Sequence, residues 1–205
     1  MEPMTRVGEN DGTAQTWSEV LDAAVSECVD VILGGSDAEW SLKAGRLDWD
    51  CRATVLHIAS DFVGYAGQMT APRLAGYVPF DVVLEGDPDA VALAEVVRAT
   101  GGLLSSVGRT TSLETLSWHP YGMAGPADFC AMGAVEALVH AHDLSEGLGV
   151  TWEPPGWLVG RVLGQLFNLD QAGEGHWSDL LLATGRIPDA DQVFVTSWRW
   201  YNTGS

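Results

Sequence analysis

The run Phe129-Cys130-Ala131-Met132-Gly133-Ala134-Val135-Glu136-Ala137-Leu138-Val139-His140-Ala141-His142-Asp143 reads as a helix that carries ionisable groups on its apolar side. At 3.6 residues per turn its inward stripe passes through Phe129, Met132, Gly133, Glu136, His140 and Asp143. Glu136 and His140 are one turn apart and neighbours on one face. A carboxylate buried without a partner costs several kcal/mol or gives up its charge, so something must meet Glu136. Pro126 opens this helix, and Gly147 and Gly149 follow its expected end near Leu144 or Glu146.

Outward from this stretch the rest of the chain is also helical. Leu21, Ala24, Val25, Cys28, Val31 and Ile32 recur at helical steps from about Thr16 until Gly34-Gly35. A second helix starts near Asp48 or Asp50 and carries Cys51, Val55, Ile58, Phe62 and Tyr65 on one stripe. Thr70 to Pro79 is a loop, and Phe80 with Val82-Val83-Leu84 suits a short extended piece. Asp87-Pro88 predicts the cap and first residue of a third helix, running to about Val107. Residues 108–125 form a long loop with Trp118-His119-Pro120-Tyr121-Gly122. Pro154-Pro155 starts a shorter fifth helix, Trp177 to Ala183 forms a sixth, and Gln192 to Tyr201 is a β-prone tail packed across the bundle. The expected fold is all-α: residues 1–14 as a flexible N-terminus, then one helical-bundle domain over 15–205.

The composition agrees with one folded domain. Of 205 residues 46% are hydrophobic and 19% charged, and nine tryptophans supply large aromatic areas. A net charge of −18, from 10 basic and 28 acidic residues, repels nucleic acid and anionic lipid, so neither is an expected partner. The first residues lack the apolar core of a signal peptide, and no apolar run approaches a bilayer span. Three widely spaced cysteines form no disulfide framework, which points to a reducing cytoplasm.

His57 lies mid-helix close to the second helix's apolar stripe. Together with Glu136 and His140 it makes a His-Glu-His set with open positions, the donor pattern of a catalytic divalent site. The competing reading of Glu136 and His140 is a solvated surface pair. Asp143, one turn further along, either orients a ligand histidine, acts as a base, or bonds the local backbone. Asp61 is one turn from His57 and within reach of a hydrogen bond to it, with a solvated position as the safer reading. His142 points roughly 160° away from His140. His119 reads as an ordinary turn histidine, and His176 as part of the last helix's cap.

Trp49-x-Cys51-x2-Thr54-x2-His57-Ile58-Ala59-x-Asp61, followed by Tyr65-Ala66-x-Gln68, resembles the second helix of actinobacterial DinB-like, mycothiol-dependent maleylpyruvate isomerase N-terminal domains. His119-Pro120-x-Gly122, then Met132-Gly133-x2-Glu136-x3-His140-x2-Asp143-Leu144, is similar to that family's metal helix and the loop before it. So is the tail, Ala183-Thr184-Gly185-Arg186 with Trp198-Arg199-Trp200, and the likeness spans roughly residues 16 to 201. It implies an up-and-down four-helix bundle, a divalent metal (usually zinc) on His57, Glu136 and His140, and mycothiol as thiol cosubstrate. Many relatives carry an aromatic residue where this chain has His142. The resemblance is to one domain of a two-domain isomerase, and the second domain is expected to be missing here, so a reaction other than maleylpyruvate isomerisation is expected.

The resulting expectation is a cytoplasmic, zinc-dependent S-transferase or isomerase that joins mycothiol to a small electrophile, with Asp143 handling a proton. Nickel, iron and manganese suit the same donors. Metal-assisted hydrolysis and non-catalytic ligand binding would use the same residues, and self-association into a homodimer is left open.

Overall fold

Thr16 sets the first helix, α1 (Trp17–Gly34), through a capping box: its hydroxyl accepts from the Glu19 amide, and Glu19 accepts from the Thr16 amide at 2.7 Å. Asp50 caps α2 (Cys51–Thr70), accepting from the Ala53 amide at 2.7 Å. α3 spans Ala90–Thr110 and α4 Pro126–Leu148, where Gly149 supplies the left-handed turn (φ 71°) that ends the longest helix. α5 (Gly156–Leu166) and α6 (Trp177–Ala183) follow. The computed structural model describes residues 15–169, 175–196, 199 and 201. The expected flexible N-terminus, and Trp198 and Trp200 of the tail, lie outside them.

The all-α bundle is what forms. α1 packs on α3 and α4, and α2 packs on the same two helices. α1 and α2, consecutive in the chain, therefore face each other across their shared partners. α5 lies on α4 and α6 on α5. Between Phe129 and Ala141 every residue of α4 is buried. The inward stripe read from sequence is thus only part of the buried surface, because Cys130, Val135, Ala137, Leu138, Val139 and Ala141 leave no polar face. The site's ionisable groups accordingly sit on the most enclosed helix.

Three local expectations are corrected. α3 begins at Ala90, because Asp89, not Asp87, accepts from the Ala92 amide, while Asp87 pairs with Arg52 at 2.8 Å. The described part of the β-prone Gln192–Tyr201 forms no strand, since it finds no partner segment among the described residues. The described tail residues are exposed apart from half-buried Phe194, and they touch the rest of the chain at points: Arg46 covers the Phe194 ring at 3.7 Å, and the Tyr201 amide donates to the Leu166 carbonyl at 2.8 Å. Third, α3 is long and apolar enough to cross a membrane by length and composition. Valine, leucine and alanine on both its faces lift its mean hydropathy, and Leu93, Ala94, Val97 and Leu104 are buried in the bundle.

Candidate metal centre

His57 sits in the second turn of α2; Glu136 and His140 lie midway along α4. Packing of α2 on α4 brings one ligand atom from each of the three within 4.8 Å of the others. Glu136 Oε2 is 3.1 Å from His140 Nε2 and 3.7 Å from His57 Nε2. It is nevertheless buried with no hydrogen-bond partner, so neither imidazole N–H is aligned on it. The two imidazoles stand edge to face at 88°, with centroids 4.8 Å apart. Trp49, just before the α2 cap, tilts over both rings at 4.7 and 6.4 Å.

Behind the cluster, His140 Nδ1 lies 2.9 Å from Asp143 Oδ2. Donation from Nδ1–H to that carboxylate fixes the ring with Nε2 turned toward Glu136. Arg186 closes the back of the site, placing Nη2 2.8 Å from Asp143 Oδ2 and Nε 3.3 Å from Oδ1. Asp143 is 1% exposed and faces His140 and Arg186, which is an orienting position. The opening is on the other side: the His57 side chain is 31% exposed, against 7% for Glu136 and 5% for His140.

Of the two sequence readings of Asp61, a partner of His57 or a solvated residue, the first is what forms. Its Oδ2 lies 3.2 Å from His57 Nε2 and its side chain is 26% exposed. Burial, then the Glu136 charge, raises its carboxyl to about 7. Asp61 also lines a cavity of about 170 Å³ with Ser60, Gly64, Tyr65, Tyr77 and Phe80. Burial and the same two carboxylates push both tyrosine hydroxyls well up.

Without an ion the cluster is held by protons. Burial alone would lower the His140 imidazole, but bonding to Asp143 and the charge of Glu136 outweigh it and raise it to about 9. Burial opposes ionisation of Glu136, yet the two imidazoles hold its carboxyl below the usual range. The donor set itself, two imidazole nitrogens and a carboxylate oxygen with no other partner, suits a zinc-type dication with positions left open. The buried His57, Glu136 and His140 cluster could hold such an ion.

The remaining histidines fall outside it. His142 pairs with Glu146 at 3.7 Å and meets the Trp177 ring edge-on. His119 is buried, its Nδ1 accepting from the Tyr121 amide at 3.2 Å, and burial lowers it to about 4. His176 occupies the cap position of α6 without a capping side-chain bond. Sequence reasoning missed the roles of Trp49 and Arg186. The i,i+4 step from His57 had offered Asp61 as its partner, whereas no spacing links Arg186 to Asp143. Comparison with family models, curated proteins and solved structures finds no match for this chain.

Proposed function

We propose that this chain is a DinB-like protein of the mycothiol-dependent maleylpyruvate isomerase N-terminal domain type, with an up-and-down bundle formed by α1–α4. In this reading it is a cytoplasmic zinc-dependent S-transferase or isomerase acting on a small electrophile. The observation that carries the metal part is Glu136 Oε2, buried and without a hydrogen-bond partner beside two imidazole nitrogens. His57, Glu136 and His140 are the ligands. A bound dication supplies the charge that lowers the pKa of a coordinated thiol or water toward neutrality.

The chain's own residues do the rest. Asp143 keeps the proton on His140 Nδ1, and so orients a ligand rather than carrying the reaction's proton. Asp61 Oδ2, beside His57 and in the cavity wall, is the carboxylate positioned to take a proton on the open side. The cavity's roughly 170 Å³ is small against the ~300–1,000 Å³ of typical ligand pockets, which suits a few-atom electrophile. A larger thiol would then approach across the exposed edges of His57 and Trp49. The protein's cysteines are not the nucleophile: all are buried, and burial pushes Cys28 to about 12 and Cys51 and Cys130 to about 11. Sulfur chemistry here needs a small external thiol.

The test begins with elemental mass spectrometry of tag-free protein beside His140→Ala, followed by turnover of 1-chloro-2,4-dinitrobenzene with and without mycothiol. Near-stoichiometric zinc that is lost in the variant, with thiol-dependent turnover lost alongside it, is the expected result. Absence of metal after reconstitution refutes the metal reading. Metal with thiol-independent ester cleavage replaces the transferase by a hydrolase, and metal without turnover of either kind leaves a binding protein.

A further inference from the structure

The segment after α6 reaches the metal centre through one side chain. Thr184 and Gly185 turn the chain out of α6, with Gly185 in the left-handed region at φ 70°. A Cβ on Gly185 would run into the Val195 carbonyl, so glycine is needed for this turn. The turn delivers Arg186, whose amide donates to the Leu181 carbonyl at 2.8 Å and whose Nη1 donates to the Thr184 carbonyl at 2.9 Å. The guanidinium is thus fixed at its own end before it meets Asp143. Its Nε and Nη2 then take both carboxylate oxygens, and Oδ2 also faces His140 Nδ1.

We propose that Arg186 is a positioning residue for the metal centre: it holds Asp143 so that Asp143 holds His140 with Nε2 toward Glu136. Metal affinity then depends on docking of the C-terminal segment. The physical reason lies in Asp143, which is 1% exposed. A carboxylate so enclosed and stripped of its guanidinium must rotate, take a proton or admit water. Each of these loosens the bond that fixes the His140 ring and tautomer. Losing such an outer partner typically weakens metal binding by about 10–100-fold. The inference rests on the metal reading above and goes beyond it by assigning a function to the segment after α6.

The experiment measures zinc affinity by competition with a chromophoric chelator, and the visible cobalt(II) spectrum, for wild type, Arg186→Gln, Arg186→Lys, Asp143→Asn and the Arg186→Gln/Asp143→Asn double variant. Arg186→Gln is expected to bind zinc about 10–100-fold more weakly, with an altered cobalt spectrum. In the Asp143→Asn background the same change should matter by about twofold or less, because its route is already broken. Wild-type affinity in folded Arg186→Gln, or losses that multiply in the double variant, would overturn the proposal. Should Arg186→Gln fail to fold, Arg186→Lys decides instead, since it keeps the charge and loses the fork; affinity equal to wild type there overturns it too. A wild type that binds no zinc ends both this inference and the metal reading, whereas equal binding by wild type and variant ends only this one.

Discussion

Replacing His57 by alanine is the cleanest way to remove one ligand. Its side chain is 31% exposed and sits at the edge of the cluster, and alanine favours the α2 helix it would join. The metal-free protein should lose little, about 1 kcal/mol for contact with Trp49 and Asp61. The metal-bound protein should lose much more. A ligand held at a hundred times its Kd stabilises the folded state by about 2.7 kcal/mol. For 205 residues the unfolding entropy is about 0.43 kcal/mol per degree, so zinc should raise the wild-type Tm by about 6 °C. If deleting one of three ligands weakens binding about a hundredfold, the same zinc concentration sits at the new Kd. Stabilisation there is about 0.4 kcal/mol and the shift about 1 °C. Scanning calorimetry of chelator-treated, tag-free protein with and without zinc reads both numbers. A wild type unmoved by excess zinc would refute the metal centre, and a variant that keeps the full shift would remove His57 from it.

Two further expectations test the surroundings. His119 is buried neutral with a folded pKa of about 4, so between pH 6.5 and 4 the unfolded chain binds a proton that the folded chain does not, and stability falls with pH across that window. The loss at pH 4.5 is at most about 3 kcal/mol, and urea titrations of wild type and His119→Gln at pH 7 and 4.5 should differ by that slope; parallel losses would show that another group dominates. Gly133→Ala gains about 1 kcal/mol of helix propensity, but its Cβ would meet Leu104 at 2.6 Å and Leu21 at 3.1 Å in the closed core. A net loss of about 1–2 kcal/mol is expected in denaturant melts, and a more stable variant would show that the helices yield there.

The pairing of Glu136 with His140 in the cluster was legible because its evidence is local. Glu136 and His140 are one helical turn apart, and the alanine, valine and leucine around them announce burial before any tertiary contact is known. Asp50 and Pro126 likewise declare their helix starts through short-range capping. Failures arose where distant chain decides. Asp87 and Asp89 flank one proline and look equivalent as caps until Arg52, on another helix, takes Asp87. The pairing of Asp61 with His57 was within reach of their one-turn spacing, but the Glu136 charge that α4 brings near it was not. Arg186 carries no sign in its own neighbourhood that it will meet Asp143, because the link is made by the docking of the C-terminal segment.

The ion-pair reading of the cluster and the metal reading describe two occupancies of one charge arrangement. Glu136 and Asp143 are both buried carboxylates, and the positive groups facing them are Arg186 and two imidazoles. Arg186 has a fixed charge and meets Asp143. Glu136 has no such permanent partner: His140 Nε2 lies 3.1 Å and His57 Nε2 3.7 Å from its Oε2. In the metal-free chain the raised basicity of His140 supplies the balancing charge with a proton. A dication would supply it without one, so binding must release the proton held at Nε2 while Asp143 keeps the one at Nδ1. This division explains why Asp143 is clamped from behind by a fixed cation while Glu136 Oε2 is left unbonded. The back of the site keeps its protonation constant, and only the face toward His57 changes.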